Sequence, residues 1–143
     1  MFLGHYEHTL EAKGRLSIPK KFRPELVTGG VLTEGLDGCL FLFPKGKWES
    51  LAKKLAAAPL TRKDARAFAR LLTFGAFDVE LDQQGRVLIP EKLRQFAQIA
   101  KKVVVAGAID RVEIWGKNRF DRYLEKIESR SEEIAEKLTE LGI

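Results

Sequence analysis

Residues Glu11–Arg23, EAKGRLSIPKKFR, decide the fold, because they return once, 71 positions later, as Asp82–Arg94, DQQGRVLIPEKLR. Glu11 aligns with Asp82, Gly14-Arg15 with Gly85-Arg86, Ile18-Pro19 with Ile89-Pro90, and Lys21 and Arg23 with Lys92 and Arg94. One residue is then inserted. The match resumes at an offset of 72, with Gly35 against Gly107, Leu42 against Ile114, Phe43 against Trp115 and Trp48 against Phe120. Self-similarity at a fixed spacing means one supersecondary unit written twice.

Within each block, an acid, two variable positions and Gly-Arg between apolar residues predict a tight connection between two strands. The carboxylate accepts hydrogen bonds from the turn's own backbone, and glycine supplies a positive φ. The arginine that follows either pairs with that carboxylate or reaches outward. Arg15-Leu16-Ser17-Ile18 alternates polar and apolar, as a half-buried strand does, and Pro19 closes it. Pro19 and Pro90 also suit the first turn of a short helix, Lys20–Leu26 in the first copy. Val31–Glu34 and Val103–Ala106 supply a third strand, and Cys39–Phe43 and Val112–Trp115 a fourth. A half of about 70 residues sits near the lower limit for an independent core, so the two halves are expected to share one.

The chain resembles the MraZ family of bacterial transcriptional regulators, and the resemblance runs essentially end to end. It rests on the opening MFLGHYEHTL, on EAKGRLSIPKKFR, on LDGCLFLFPKGKW (Leu36–Trp48) and on LDQQGRVLIPEKLRQFA. It implies an α+β fold with a mostly β core. Two tandem AbrB-like halves of the swapped-hairpin type, each βαββ-like, form an intrachain pseudo-dimer, at residues 1–74 and 75–143. One departure is visible: the family pattern opens its motif with Asp, and the first copy here has Glu11.

Charge divides the copies. Residues 1–71 carry 13 Lys+Arg against 7 Asp+Glu, whereas residues 72–143 carry 12 against 13, so the whole basic excess of the +5 chain lies in the first half. It peaks over Lys13–Arg23, where Lys13, Arg15, Lys20, Lys21 and Arg23 face no acid. In the matching window Arg86, Lys92 and Arg94 are offset by Glu91. Clustered cations are what phosphate contacts require. Together with the resemblance, which implies a transcriptional regulator, this makes double-stranded DNA the expected partner. Arg15 and Lys13 would present to the major groove, where arginine reads guanine O6 and N7. Lys20, Lys21 and Arg23 would hold the backbone, with Arg86 as a second-copy counterpart. Glu11, Gly14, Asp82, Gly85 and Arg86 form the turn and its ion pairs, Glu11 orienting Arg15 or holding the turn. For both arginines, a turn-locking ion pair without DNA contact is the alternative. The resemblance implies short G-rich direct repeats in the promoter of the cell-division and cell-wall gene cluster, usually repressed.

Between the copies, Pro44–Ala58 reads as a helix with Trp48, Leu51 and Leu55 on one face. A second helix opens at Thr61, with Asp64 completing part of a capping box and Ala65, Phe68, Leu71 and Leu72 as its stripe, until Gly75. Its basic face is either solvated or a secondary phosphate contact. Asn118–Leu141 reads as one long helix in which Ile127, Ile134 and Leu141 are seven apart, joined by Leu138. It packs on its own half or joins subunits. The resemblance implies a homo-oligomeric ring.

No enzyme, cofactor or metal is expected. His5 and His8 have no third ligand nearby, Gly29-Gly30 belongs to no phosphate-binding fingerprint, and no serine has a histidine at suggestive spacing. The lone Cys39 is expected to be a buried small hydrophobe. With no apolar run able to span a bilayer and no secretory segment, a cytoplasmic, nucleoid-associated location is expected. A second reading is an antitoxin-like interaction oligomer holding a protein partner through the Glu-rich C-terminal helix.

Overall fold

In the computed structural model, which describes residues 1–143, the chain runs β1 (His5–Thr9), β2 (Arg15–Ser17), β3 (Gly30–Glu34), β4 (Leu40–Pro44), α1 (Lys45–Ala57) and α2 (Lys63–Phe74). The second copy follows as β5 (Phe77–Val79), β6 (Arg86–Leu88), α3 (Glu91–Phe96), β7 (Lys102–Gly107), β8 (Val112–Gly116), α4 (Lys117–Glu128) and α5 (Ser131–Glu136). The chain is α+β. Its two sheets are antiparallel: six strands in the order β1-β7-β8-β4-β3-β5, and a separate two-stranded ribbon of β2 and β6.

The topology interlocks the two copies. The expected tight connection does join two strands, but they enter different sheets, since β2 leaves β1 to pair with β6. Each copy's first strand crosses to the other copy's third: β1 pairs β7, and β5 pairs β3. In the ribbon, Leu16 pairs with Val87, which is its own repeat mate. Across β4 and β8, Phe41 pairs with Glu113, again a residue with its mate. An approximate two-fold axis therefore passes through both pairs, relating the two halves of one chain.

Side-chain alternation along the strands loads both faces of the large sheet. One face carries a core of 17 buried residues, including Leu32, Leu40, Leu42, Val103, Val105 and Ile114. The ribbon's Leu16 and Val87, together with Phe22 and Leu93, close over it. Residues from both copies fill this core, as the size of each half requires. The other face carries Cys39, Phe41, Phe43, Val104 and Trp115, covered by Trp48 and Leu51 of α1 and Phe120 and Tyr123 of α4. Cys39 is fully buried, and its thiol donates to the Leu36 carbonyl at 3.3 Å. Burial pushes that thiol well above its ordinary range, so it stays protonated.

Prolines and glycines set the differences between copies. Between β3 and β4, Asp37 and Gly38 both have positive φ, the conformation that an Asp-Gly pair favours in a hairpin turn. The helix expected at Lys20–Leu26 is instead two single 3-10 turns, Lys20–Phe22 and Pro24–Leu26. Pro24 has no N–H to continue the first turn. The second copy has Gln95 at the aligned position and forms a true helix there, α3.

The helix from Thr61 begins only at Lys63, with no side-chain cap, and Leu71 points to solvent, 61% exposed. Its C-terminal end is held from the sheet: fully buried Thr33 donates its hydroxyl to the Leu72 carbonyl at 2.6 Å. That carbonyl is one of the four a helix end leaves unpaired. Thr33→Val keeps the shape and deletes the donor. Urea titration is expected to show a loss of about 1–3 kcal/mol, the cost of an unsatisfied buried carbonyl.

The long C-terminal helix is corrected by the structure. Its first half starts at Lys117, directly after β8, so Asn118 is no cap. It stops at Glu128, where Ser129 donates its hydroxyl to the Lys126 carbonyl and Arg130 leaves helical geometry (φ −124°, ψ 19°). A serine bonded to nearby backbone competes with helix continuation. Beyond it, no core compensates: α5 and the terminal turn Thr139–Leu141 bury no residue fully. Ile127, Ile134, Leu138 and Leu141 are thus divided among short segments and form no straight heptad stripe.

Candidate nucleic-acid interface

The ribbon has one wet face. Leu16 and Val87 point into the core, so their neighbours Arg15, Ser17, Arg86 and Leu88 point out. Arg15 lies opposite Leu88 and Arg86 opposite Ser17, the two-fold mates at matching corners. At each end the motif loop closes on itself: the Glu11 N–H donates to Arg15 O and the Gly14 N–H to Glu11 O, and Asp82, Arg86 and Gly85 repeat the pattern. Gly14 and Gly85 both have positive φ, +80° and +76°.

Those glycines also make room for an arginine from the other copy. Arg23 donates Nε to the Ile18 carbonyl at 2.8 Å, and its guanidinium lies where a Cβ on Gly85 would sit. Arg94 does the same with the Ile89 carbonyl at 3.0 Å, over Gly14. Arg23, expected as a backbone contact, is therefore half-buried and packed as a brace between copies. Its charge also helps to hold His8 below its ordinary pKa, after burial as the larger cause. His5 and His8 both sit on β1, and no three metal-ligating side chains come together anywhere in the chain.

The two loops are not alike. Asp82 Oδ1 accepts the backbone N–H groups of Gln84 and Arg86, both at 2.9 Å, and Oδ2 accepts Arg86 Nε at 2.9 Å. The Arg86 backbone bond is the main cause that holds the Asp82 carboxyl below its ordinary range. Glu11 does none of this for its own loop. Its longer stem swings the carboxylate out, to Arg86 at 3.0 Å across the ribbon and to the Ser17 hydroxyl at 3.3 Å. Without a side-chain brace, Lys13 takes a left-handed conformation (φ +65°), whereas Gln84 does not.

Arg86 is consequently clamped between two acids, its side chain 24% exposed. Arg15 is exposed and makes no ion pair or side-chain hydrogen bond. The expectation that Glu11 orients Arg15 or caps its turn is corrected: it serves the other copy's arginine. Lys13 and Lys20 are likewise exposed and unpaired, and Lys21 lies over the Tyr6 ring at 5.1 Å. Lys13's mate is Gln84 and Lys20's is Glu91. Lys20 follows Ile18, whose N–H bonds the Gly85 carbonyl, so it stands toward the Arg86 end of the ribbon, and Glu91 toward the Arg15 end.

Sequence reasoning brought out the cations and the glycines but missed both cross-copy contacts. The signal for one was present: Arg23 and Arg94 align as surely as Gly14 and Gly85, which marks them as structural partners. The Glu11–Arg86 pair leaves no trace, since one methylene decides where the carboxylate goes.

Such a chain is a tandem-repeat protein, folded about an internal two-fold axis, that presents paired arginine corners on an outer ribbon. The family model described as "MraZ protein, putative antitoxin-like" matches residues 1–71 and again 72–141. The chain belongs to the MraZ family. A "Transcriptional regulator MraZ" of Thermoanaerobacter pseudethanolicus is 50% identical over 143 residues, covering 100% of both chains. Proteins of the same description from Pelotomaculum thermopropionicum and Moorella thermoacetica are 48% and 47% identical, over 100% of this chain and 99% and 100% of theirs.

Proposed function

We propose that the chain is a sequence-specific double-stranded DNA-binding regulator of transcription. The observation that carries this is the exposed Arg15, free of any ion pair, with Lys13 in the adjoining loop, at one corner of an exposed two-stranded ribbon. A major groove admits such a ribbon, and arginine is the usual reader of guanine there. Lys20, Lys21 and Lys13 flank it to hold phosphates and set register. The close relatives' description as transcriptional regulators supports the same conclusion.

In this reading, residues 1–74 and 75–143 are two AbrB-like repeats that exchange hairpins, which the pairing of β1 with β7 and β5 with β3 supports. As family membership implies, the target is short G-rich direct repeats in the promoter of the cell-division and cell-wall cluster, repressed from the cytoplasm on the nucleoid. Subunits assemble into a ring, with Ile127, Ile134, Leu138 and Leu141 as contacts. A ring presents several weak patches at once, and successive repeats then bind at high effective concentration.

Fluorescence anisotropy on repeat-bearing and scrambled duplexes, at several salt concentrations, tests this. Three phosphate contacts per subunit would weaken single-site binding roughly 40-fold between 50 and 200 mM salt, with a slope of about 0.9 per contact. Equal, weak binding to both duplexes would overturn the reading. Stoichiometric capture of a protein partner in its place would favour the antitoxin-like alternative.

A further inference from the structure

Two sets of apolar side chains in this chain lie uncovered, and they sit in segments of opposite charge. The first is on α2, where Ala67, Leu71 and Phe74 are four and three residues apart and so share one helix face. That face points to solvent, with Phe74 80% exposed. Lys63 and Arg70 flank it, and neither enters an ion pair. A hollow of about 430 Å³ opens beside it, walled by Arg70, Leu71, Phe74 and Lys92, with Glu34 as its one acid. The second set is Ile134, Leu138 and Leu141, at the same spacing over α5 and the terminal turn, with Leu141 65% exposed.

Residues 61–74, which hold α2, carry four Lys+Arg and one acid, a net of +3, whereas residues 131–143 carry four acids and one lysine, a net of −3. Within one chain the two sets do not cover each other. Thr33 anchors α2 on β3, whereas α4, which leads into α5, packs on β7 and β8 and reaches β1, with Phe120 against His5 and Lys117 paired with Glu7. The axis between β4 and β8 separates β3 from β7 and β1.

We propose that the C-terminal segment of one copy docks on α2 of a second copy, with Ile134, Leu138 and Leu141 covering Leu71 and Phe74. This rests on the ring proposed above and gives its contacts a receiving surface. Phosphate would be drawn to Lys63 and Arg70 but gains nothing from the apolar residues beside them. A segment both apolar and acidic matches the whole face. Because the two surfaces differ, the contact is heterologous and passes from copy to copy until its rotation closes. Each subunit of a closed ring then has both sets covered, and α5 obtains from its neighbour the packing that its own chain does not supply.

Molar mass by light scattering after gel filtration tests this on the full chain and two variants. Leu71→Asp/Phe74→Asp spoils the receiving face, and Leu138→Asp/Leu141→Asp spoils the inserted one. All four positions are exposed, so both variants should fold, which thermal melting checks. The natural protein should be a multiple of 16.2 kDa, and each variant alone a monomer of 16.2 kDa. Mixed in equal amounts over a concentration series, the variants should form a dimer and nothing larger, since each keeps the one surface the other has lost. Either variant keeping the natural mass, or a mixture that stays monomeric throughout, would overturn the docking. A receiving-face variant that keeps its mass but loses DNA affinity would assign this face to phosphates instead. A natural protein that is itself monomeric would remove the ring reading, and this docking with it.

Discussion

Arg15→Ala is expected to abolish repeat-specific DNA binding while leaving the fold untouched. An arginine bidentate on guanine is worth about 1–3 kcal/mol, or roughly 10- to 100-fold at one site. On a promoter with several repeats the loss compounds, because every subunit loses the same contact. Arg15 has no ion pair or side-chain hydrogen bond in the protein, so melting should move by no more than an ordinary surface substitution, about 0.5 kcal/mol. Arg15→Lys separates the two components of the effect. It keeps the charge and hence the salt slope, but loses the planar fork, so discrimination between repeat and scrambled duplex should fall further than affinity. Anisotropy on both duplexes reads this directly. Unchanged discrimination in Arg15→Ala would remove Arg15 as the reader.

Phe22→Ala carries the largest expected effect on stability. Phe22 is 1% exposed and meets Phe2 and Tyr6 edge-on, at 5.3 and 5.8 Å between ring centroids. Truncating a buried phenylalanine costs about 3–5 kcal/mol, the transfer of the ring plus the cavity left behind. Phe22 lies in the core that both copies fill, together with Val87, Ile89 and Leu93. The midpoint of chemical denaturation should therefore fall without the transition splitting. Two separate transitions would show that the halves are energetically independent, contrary to their interlocked strands.

Much of this was legible because the chain is written twice. The repeat placed the third and fourth strands of each copy to within a residue, and Asp37-Gly38 forms a turn whose left-handed residues are the ones its chemistry names. Pairing was less legible. The turn signal at Gly14-Arg15 makes β1 and β2 look like partners, whereas long-range packing sends them to different sheets, and no local signal encodes that exchange. At the site, composition identified an unopposed cation cluster, but not which cations were spoken for: Arg23 is taken by Ile18 and Gly85, and Arg86 by Asp82 and Glu11. The C-terminal heptad spacing was real in sequence, yet periodicity stabilises a helix only where something covers its apolar face. Past Ser129 nothing in the chain does.

The axis through Leu16–Val87 and Phe41–Glu113 has a consequence for how the protein diversifies. Two separate identical chains must place the same residue at both ends of such an axis, and their pairing obeys mass action, weakening on dilution. Joining the halves through α2 makes that association intramolecular, so it persists at a single copy per cell. It also lifts the demand for identity. A phenylalanine can face a glutamate at the axis, and a lysine can stand where its mate is an acid. One gene thereby gains a two-fold scaffold with two separately adjustable ends.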